Sequence, residues 1–202
     1  MSDSVGRHYR GEAGADYFGW QKSLGEIGGE LNARKFTSFI APTDTVIDFG
    51  CGTGALLANI DCATKLGIEP NDHARKDAAA RGIECVASPA DVDPDFADVI
   101  ISNHALEHTL NPFGELRELS RVLKDGGHLV LYVPLDDFRS QPSPERDQNH
   151  HVYTWTPLLL RNLLTEAGFE VVESRLVTHA WPPKTQLFAR LPAPLFEAAA
   201  RL

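Results

Sequence analysis

Asp48-Phe49-Gly50-Cys51-Gly52-Thr53-Gly54 sets a carboxylate just ahead of three glycines at alternate positions. Glycine lets a backbone turn sharply and come close to a ligand, so this spacing suits a small molecule lying against the main chain. The acid at the head of the loop would attract a cationic group and repel a pyrophosphate. Glu69 follows at the spacing of the next strand of a βαβ unit, where one carboxylate accepts hydrogen bonds from both hydroxyls of a ribose. Gly50, Gly52 and Ala55 also satisfy the G-x-G-x-x-G/A dinucleotide fingerprint. On these residues alone, NAD and a phosphate-free adenosine ligand both stay open.

Histidines form the second group with chemical potential. His104-Ala105-Leu106-Glu107-His108 reproduces H-x-x-E-H, a zinc-peptidase pattern that needs both histidines on one face of a continuous helix. Here it follows directly on an apolar strand, and Asn111-Pro112 opens a new element three residues later. No metal is therefore expected, and Glu107 and His108 are expected to hydrogen-bond loop backbone. Asn103 and His104 stand at the strand end and are expected to line the site. His150 and His151 follow a polar run. A solvated loop is one use for them. The other puts one of the two against the reacting group as a general base or substrate clamp, since imidazole accepts a proton near neutral pH.

These residues need a scaffold, and the apolar pattern supplies one. Val46-Ile47-Asp48-Phe49 reads as a short strand covered on both faces. Further strands are expected at 64–69, 83–86, 99–102 and 169–174. Between them, helices are expected over 24–40 and 71–80 and opening at Ala55. Asn111 caps another, with Pro112 at its first position and Phe113, Leu116, Leu119 and Val122 along one face. Thr156-Pro157 repeats the start signal, Leu160, Leu163 and Leu164 supply a core face, and Gly168 ends that helix. The alternation implies an α/β fold: a doubly wound, mostly parallel sheet with helices on both faces. Residues 1–40, with Tyr9, Tyr17, Phe18 and Trp20, are expected as a flap and opening helix, and 135–151 as a lid over the carboxyl edge of the sheet.

The string D-F-G-C-G-T-G resembles motif I of the class I S-adenosylmethionine (SAM)-dependent methyltransferases. Residues 96–112 resemble the fourth strand and following loop of the subgroup that includes the ubiquinone- and menaquinone-biosynthesis enzymes. Residues 121–134 resemble that family's helix, turn and fifth strand, with Asp125 where members usually carry proline. The resemblance implies SAM as cofactor, S-adenosylhomocysteine as product and a single domain over 1–202. It implies that Asp48 and the backbone of Gly50, Cys51, Gly52 and Gly54 hold the methionine part. Glu69 and the adjoining Pro70 would meet the ribose, and Asp91 the adenine amino group. Asn103 would line the pocket, and His104 and His151 would be the catalytic candidates. The family's last strand usually inserts antiparallel between the fifth and sixth. Prolines at 182, 183, 192 and 194 interrupt that stretch, leaving only 185–190. The strand is expected to be missing, with the C-terminal segment a helix outside the sheet or against a second subunit of a homodimer.

Composition narrows the function classes. A chain of 202 residues with 43% apolar content suits one domain. Nineteen basic against 28 acidic residues, net charge -9, lack the basic patch that nucleic acid demands. The strand-end residues Asn103-His104-Ala105-Leu106 also lack the N-P-P-Y-like or Pro-Cys strings of nucleic-acid methylation. No apolar run approaches the ~20 residues of a membrane span. Met1-Ser2-Asp3-Ser4 is unlike a secretion leader, and three cysteines without C-x-x-C suit a cytoplasmic location. The expected reaction is methyl transfer from SAM to a small-molecule, sugar-like or lipid-linked acceptor. An NAD-dependent oxidoreductase and a non-catalytic SAM-binding regulator are the alternatives.

Overall fold

The computed structural model describes residues 6–9, 13–14, 19, 25–135, 143, 147, 149–177, 191 and 195. Residues 1–171 form one compact unit and 172–202 another. The first contains a five-stranded parallel sheet: β1 (Thr45–Phe49), β2 (Thr64–Ile68), β3 (Glu84–Val86), β4 (Ala97–Asn103) and β5 (Leu123–Tyr132). Its order is β3-β2-β1-β4-β5, so the winding reverses between β1 and β4. Ligands of open α/β sheets bind outside the carboxyl ends of the strands at such a reversal.

Side chains of a strand alternate between faces, and here each face has its own helices. Ile47, Phe49 and Ile100 join a core with Leu116, Leu119 and Val122 of α4 (Pro112–Val122). Leu160, Leu163 and Leu164 of α5 (Pro157–Glu166) pack against the same cluster. Val46, Val99 and Ile101 face the other way, toward Ala33 of α1 (Gly25–Ala33), Phe36, and Leu56 and Leu57 of α2 (Ala55–Ala58). Ala78 of α3 (Asp72–Ala80) completes that side. Ala97 and Val99 fall on opposite faces although two residues apart. A register shift lies between them: Ala97 pairs with Leu123 but Val99 with His128, and Gly126 takes φ 76° within the bulge.

The helix starts follow the expected caps. Asn111 accepts from Gly114 N at 3.1 Å, and Thr156 from Leu159 N at 3.2 Å. Gly168 ends α5 at φ 105°. Four expectations need correction. The opening helix stops at Ala33 and breaks into a turn and a 3-10 segment, Thr37–Phe39. The crossover helix at Ala55 lasts only to Ala58. Phe113 is exposed, because a three-residue recurrence drifts by about 60° per step on an α-helix, and the buried stripe runs through Pro112, Glu115, Leu116, Leu119 and Val122. Residues 169–174 form no strand. A strand requires a bonded neighbour; the stretch 185–190, the one candidate for the final strand that is expected to be missing, lies outside the described residues, as do Tyr17, Phe18, Trp20 and most of the expected lid. Among the described residues, no helix is long and apolar enough to cross a membrane.

Candidate active site

The loop after β1 closes on left-handed glycines, with φ 78° at Gly50, 53° at Gly52 and 75° at Gly54. Any other residue would be strained there. Gly50 N and Cys51 N donate to Ile68 O at 2.8 and 3.2 Å, which pulls the loop over the end of β2. A Cβ on Gly50 would run into Ala105, so the loop touches the segment after β4. Ser102 Oγ donates to Phe49 O at 2.9 Å and holds the ends of β4 and β1 together. The Asp48 loop, Glu69 and Pro70 after β2, and Asn103 and His104 at the end of β4 thus share one edge of the sheet.

Two buried carboxyl groups dominate the electrostatics there. Asp48 is 2% exposed. Burial, then the nearby Glu69 and Cys85, push its pKa up to about 8. Glu69 accepts from Gly52 N at 3.0 Å through one oxygen and from Asn71 N at 2.8 Å through the other. Burial raises its pKa to about 7, against the pull of those two N–H groups and of Arg75. Each Glu69 oxygen keeps a second lone pair, so its hold on the loop is compatible with a ribose. Asp91 sits in an exposed 3-10 turn, Pro89–Asp91, and accepts from Ser88 N at 3.1 Å in a capping box. That local use was readable from Ser88-Pro89-Ala90-Asp91.

Beyond β4 the chain gathers histidines. His104 holds φ 57°, in the left-handed region that few non-glycine residues adopt. Its N–H donates to Tyr132 O at 2.8 Å, and its Nδ1 lies 3.4 Å from Glu107 Oε1. Glu107 is fully buried in the 3-10 turn Leu106–His108. Its carbonyl accepts from Val152 N at 3.0 Å and Tyr153 N at 3.3 Å, and this docks the chain beyond the expected lid. His151 Nε2 is thereby held 4.0 Å from Glu107 Oε1. The sequence reading of Glu107 needs correction: its carbonyl bonds a remote segment, not its own loop, and neither carboxylate oxygen has a hydrogen-bond partner. His108 meets Tyr9 Oη at 2.6 Å through Nδ1, and burial lowers its pKa to about 4.

Lys35 and the side-chain tie of Asn71 were missed in the sequence, and Tyr9 was expected only as one of the flap aromatics. Tyr9 is 5% exposed, and its hydroxyl donates to Asn149 O. Asn71 caps α3 and sends Nδ2 to Tyr9 O at 2.8 Å, fastening the N-terminal turn Arg7–Tyr9 across the site. Lys35 donates to Asn103 Oδ1 at 2.8 Å, and burial lowers its pKa to about 8. Asn71 at a helix start was legible as a cap. Nothing in the local pattern marks Lys35, and the partners of Lys35 and Tyr9 lie far along the chain.

Residues 20–174 match the methyltransferase domain family. The chain is 32% identical over 99 residues to a ubiquinone biosynthesis O-methyltransferase of Serratia proteamaculans, covering 43% of this chain and 41% of that protein. It is 29% identical over 154 residues to an O-methyltransferase of Pyrenophora dematioidea, covering 66% and 57%. The matches thus span about half the length of these relatives. A SAM-dependent methyltransferase structure from Archaeoglobus fulgidus superposes with TM-score 0.65 at 17% identity, covering 92% of this chain and 90% of the other. With its glycine loop and acidic strand ends in place, the chain belongs to the methyltransferase domain family, in the class I SAM-dependent group.

Proposed function

We propose that this domain transfers a methyl group from SAM to a small-molecule acceptor. The observation that carries the reading is the buried Asp48 carboxyl at the mouth of the glycine loop, its pKa raised to about 8. Such a group gains most from a cationic ligand without phosphate, which describes the ammonium and sulfonium of SAM. A pyrophosphate beside Asp48 and Glu69 would meet two acids, which disfavours NAD. Glu69 would take the ribose, and Asn103 would line the pocket beside the methyl.

In the reaction, a lone pair of the acceptor attacks the methyl carbon. The new bond forms as the carbon–sulfur bond breaks, and its electron pair stays on sulfur, leaving neutral S-adenosylhomocysteine. The protein's main task is in-line alignment. The acceptor's proton passes to an imidazole, His104 or His151, which flank the buried Glu107. The relatives named as O-methyltransferases favour a hydroxyl as the group methylated.

Calorimetric titration with SAM and with NAD tests the ligand. Binding of SAM alone is the expected result, and binding of NAD alone would discard the reading. Release of S-adenosylhomocysteine with a panel of hydroxylated small molecules tests the reaction. His104→Ala should then lose turnover while keeping SAM affinity.

A further inference from the structure

Glu107, His108 and His151 converge in a way that methyl transfer from SAM does not require. Their ligand atoms lie within 4.8 Å of one another. Glu107 Oε1 is 4.0 Å from His108 Nε2 and 4.0 Å from His151 Nε2. The carboxylate is wholly buried, and both its oxygens lack a hydrogen-bond partner. Burying a carboxylate in that condition costs several kcal/mol unless a cation balances it.

Proton placement around Tyr9 shows what the cluster faces. The single phenolic proton goes to a carbonyl, Asn149 O, with His150 O a second acceptor at 3.2 Å. A carbonyl can only accept, so at 2.6 Å the Tyr9 oxygen must take its other hydrogen bond from His108 Nδ1–H. That fixes the neutral tautomer of His108 with its lone pair on Nε2. The Nε2 lone pair and the Glu107 carboxylate then face one another as two acceptors. A ring nitrogen tied to an outer partner, with the other turned into a cluster, is the arrangement that orients metal-binding histidines.

We propose that Glu107, His108 Nε2 and His151 Nε2 bind a divalent first-row transition metal of the zinc type. Two imidazoles and one carboxylate are the donor set of catalytic zinc sites that keep an open position. Tetrahedral ligands around zinc lie about 3.4 Å apart, so the two 4.0 Å gaps between Glu107 and the histidines would close by about 0.6 Å and no pair by more than about 1.4 Å. The main-chain bonds from Val152 and Tyr153 to Glu107 O keep the two contributing loops in register. This ligand set differs from H-x-x-E-H on a helix: Glu107 and His108 come from a 3-10 turn, and the third ligand comes from beyond the lid. The metal's role rests on the methyl-transfer reading. At the open position it would polarise an acceptor oxygen, leaving His104, 3.4 Å from the same carboxylate, to receive the proton.

The test uses the full chain stripped with a chelator and then titrated with zinc by calorimetry. Metal content after desalting is read by mass spectrometry, and cobalt substitution by its visible d–d absorption. One equivalent should bind, with a cobalt spectrum of low-symmetry coordination. His151→Ala should weaken zinc binding at least tenfold, and Tyr9→Phe, which releases the His108 ring, by about 10–100-fold. Glu107→Gln should abolish the site. Because that buried variant risks misfolding, the variant His151→Ala, at a partly buried loop residue, serves as the second arm, with SAM affinity as its folding control. No zinc retained by a wild-type protein that binds SAM would overturn the metal site and leave the proposed function standing. Zinc binding undiminished in both His151→Ala and Glu107→Gln would equally overturn it. Zinc bound by a protein that does not bind SAM would keep the site and remove its assigned role.

Discussion

Asp48 and Glu69 sit at adjacent strand ends, both buried and both carrying raised pKa values, about 8 and about 7. Near pH 7 the free protein therefore holds a proton on Asp48, and a cationic ligand must displace it. Binding and proton release are linked, so SAM affinity should rise with pH through the window from about 7 to about 8 and level off above it. Calorimetry in buffers of different ionisation enthalpy would read the released proton directly, and a flat profile would place SAM's cations away from Asp48. Glu69→Ala should weaken SAM binding by about 1.5–3 kcal/mol, the scale of hydrogen bonds to a charged group. The same change frees Gly52 N and Asn71 N, so a loss well above that range would mean that the glycine loop itself had moved. Asp48 and Glu69 were legible because strand, acid and glycine are neighbours in sequence. The environment of Glu107 was not, because His151, Val152 and Tyr153 meet it only in the folded chain.

At the scale of elements, the glycine loop is supported from beneath by β2 through a glycine that no motif marks. A Cβ on Gly67 would lie 2.5 Å from Cys51 Sγ and 2.6 Å from Cys85 Sγ. The two sulfurs are themselves 3.7 Å apart. Their hydrogen bond, with burial second, raises the Cys51 pKa, and the same bond lowers that of Cys85. Neither sulfur ends a long side chain that could swing away, so Gly67→Ala should destabilise the fold by about 1–3 kcal/mol, as overpacking does. It should also weaken SAM binding, because Cys51 belongs to the loop. Adding Cys85→Ala should recover part of the loss in urea unfolding; no recovery would move the strain elsewhere. The strands β1 to β4 and the capped helices were readable, since apolar runs, caps and glycine stops are local signals, whereas β5 was expected only from the family resemblance and begins at Leu123, before the expected turn. The segment 169–174 looks like a strand by composition, but strand formation depends on a neighbour that composition does not supply. The opening helix, likewise, breaks after Ala33, where Lys35 turns toward Asn103 and Phe36 enters the core; both partners are remote in sequence.

Across the whole molecule, the same ionisations set how stability varies with pH. Asp48 and Glu69 have native pKa values above their ordinary values of 3.8 and 4.5. The native state therefore binds more protons than the unfolded chain between those limits, and stability falls as pH rises through the window. His108 acts in the opposite sense. Its pKa falls from 6.5 to about 4, so the unfolded chain binds the extra proton there and stability rises with pH over that range. Lys35, lowered from 10.5 to about 8, acts the same way above about pH 8. From about pH 6.5 to about pH 8 the histidine and lysine contributions are nearly level, and the two acids decide the slope. The ligand-free protein should therefore be less stable at pH 8 than at pH 6.5, with the midpoint of thermal or urea unfolding moving downward. Saturating SAM should flatten or reverse that trend, because its cations favour the ionised Asp48 in the native state alone and ligand binding stabilises by mass action. Midpoints measured at both pH values, with and without SAM, at fixed ionic strength make the test. A ligand-free midpoint that holds or rises toward pH 8 would mean that Asp48 is already ionised before any ligand arrives, and the electrostatic case for a cationic cofactor at that position would be lost.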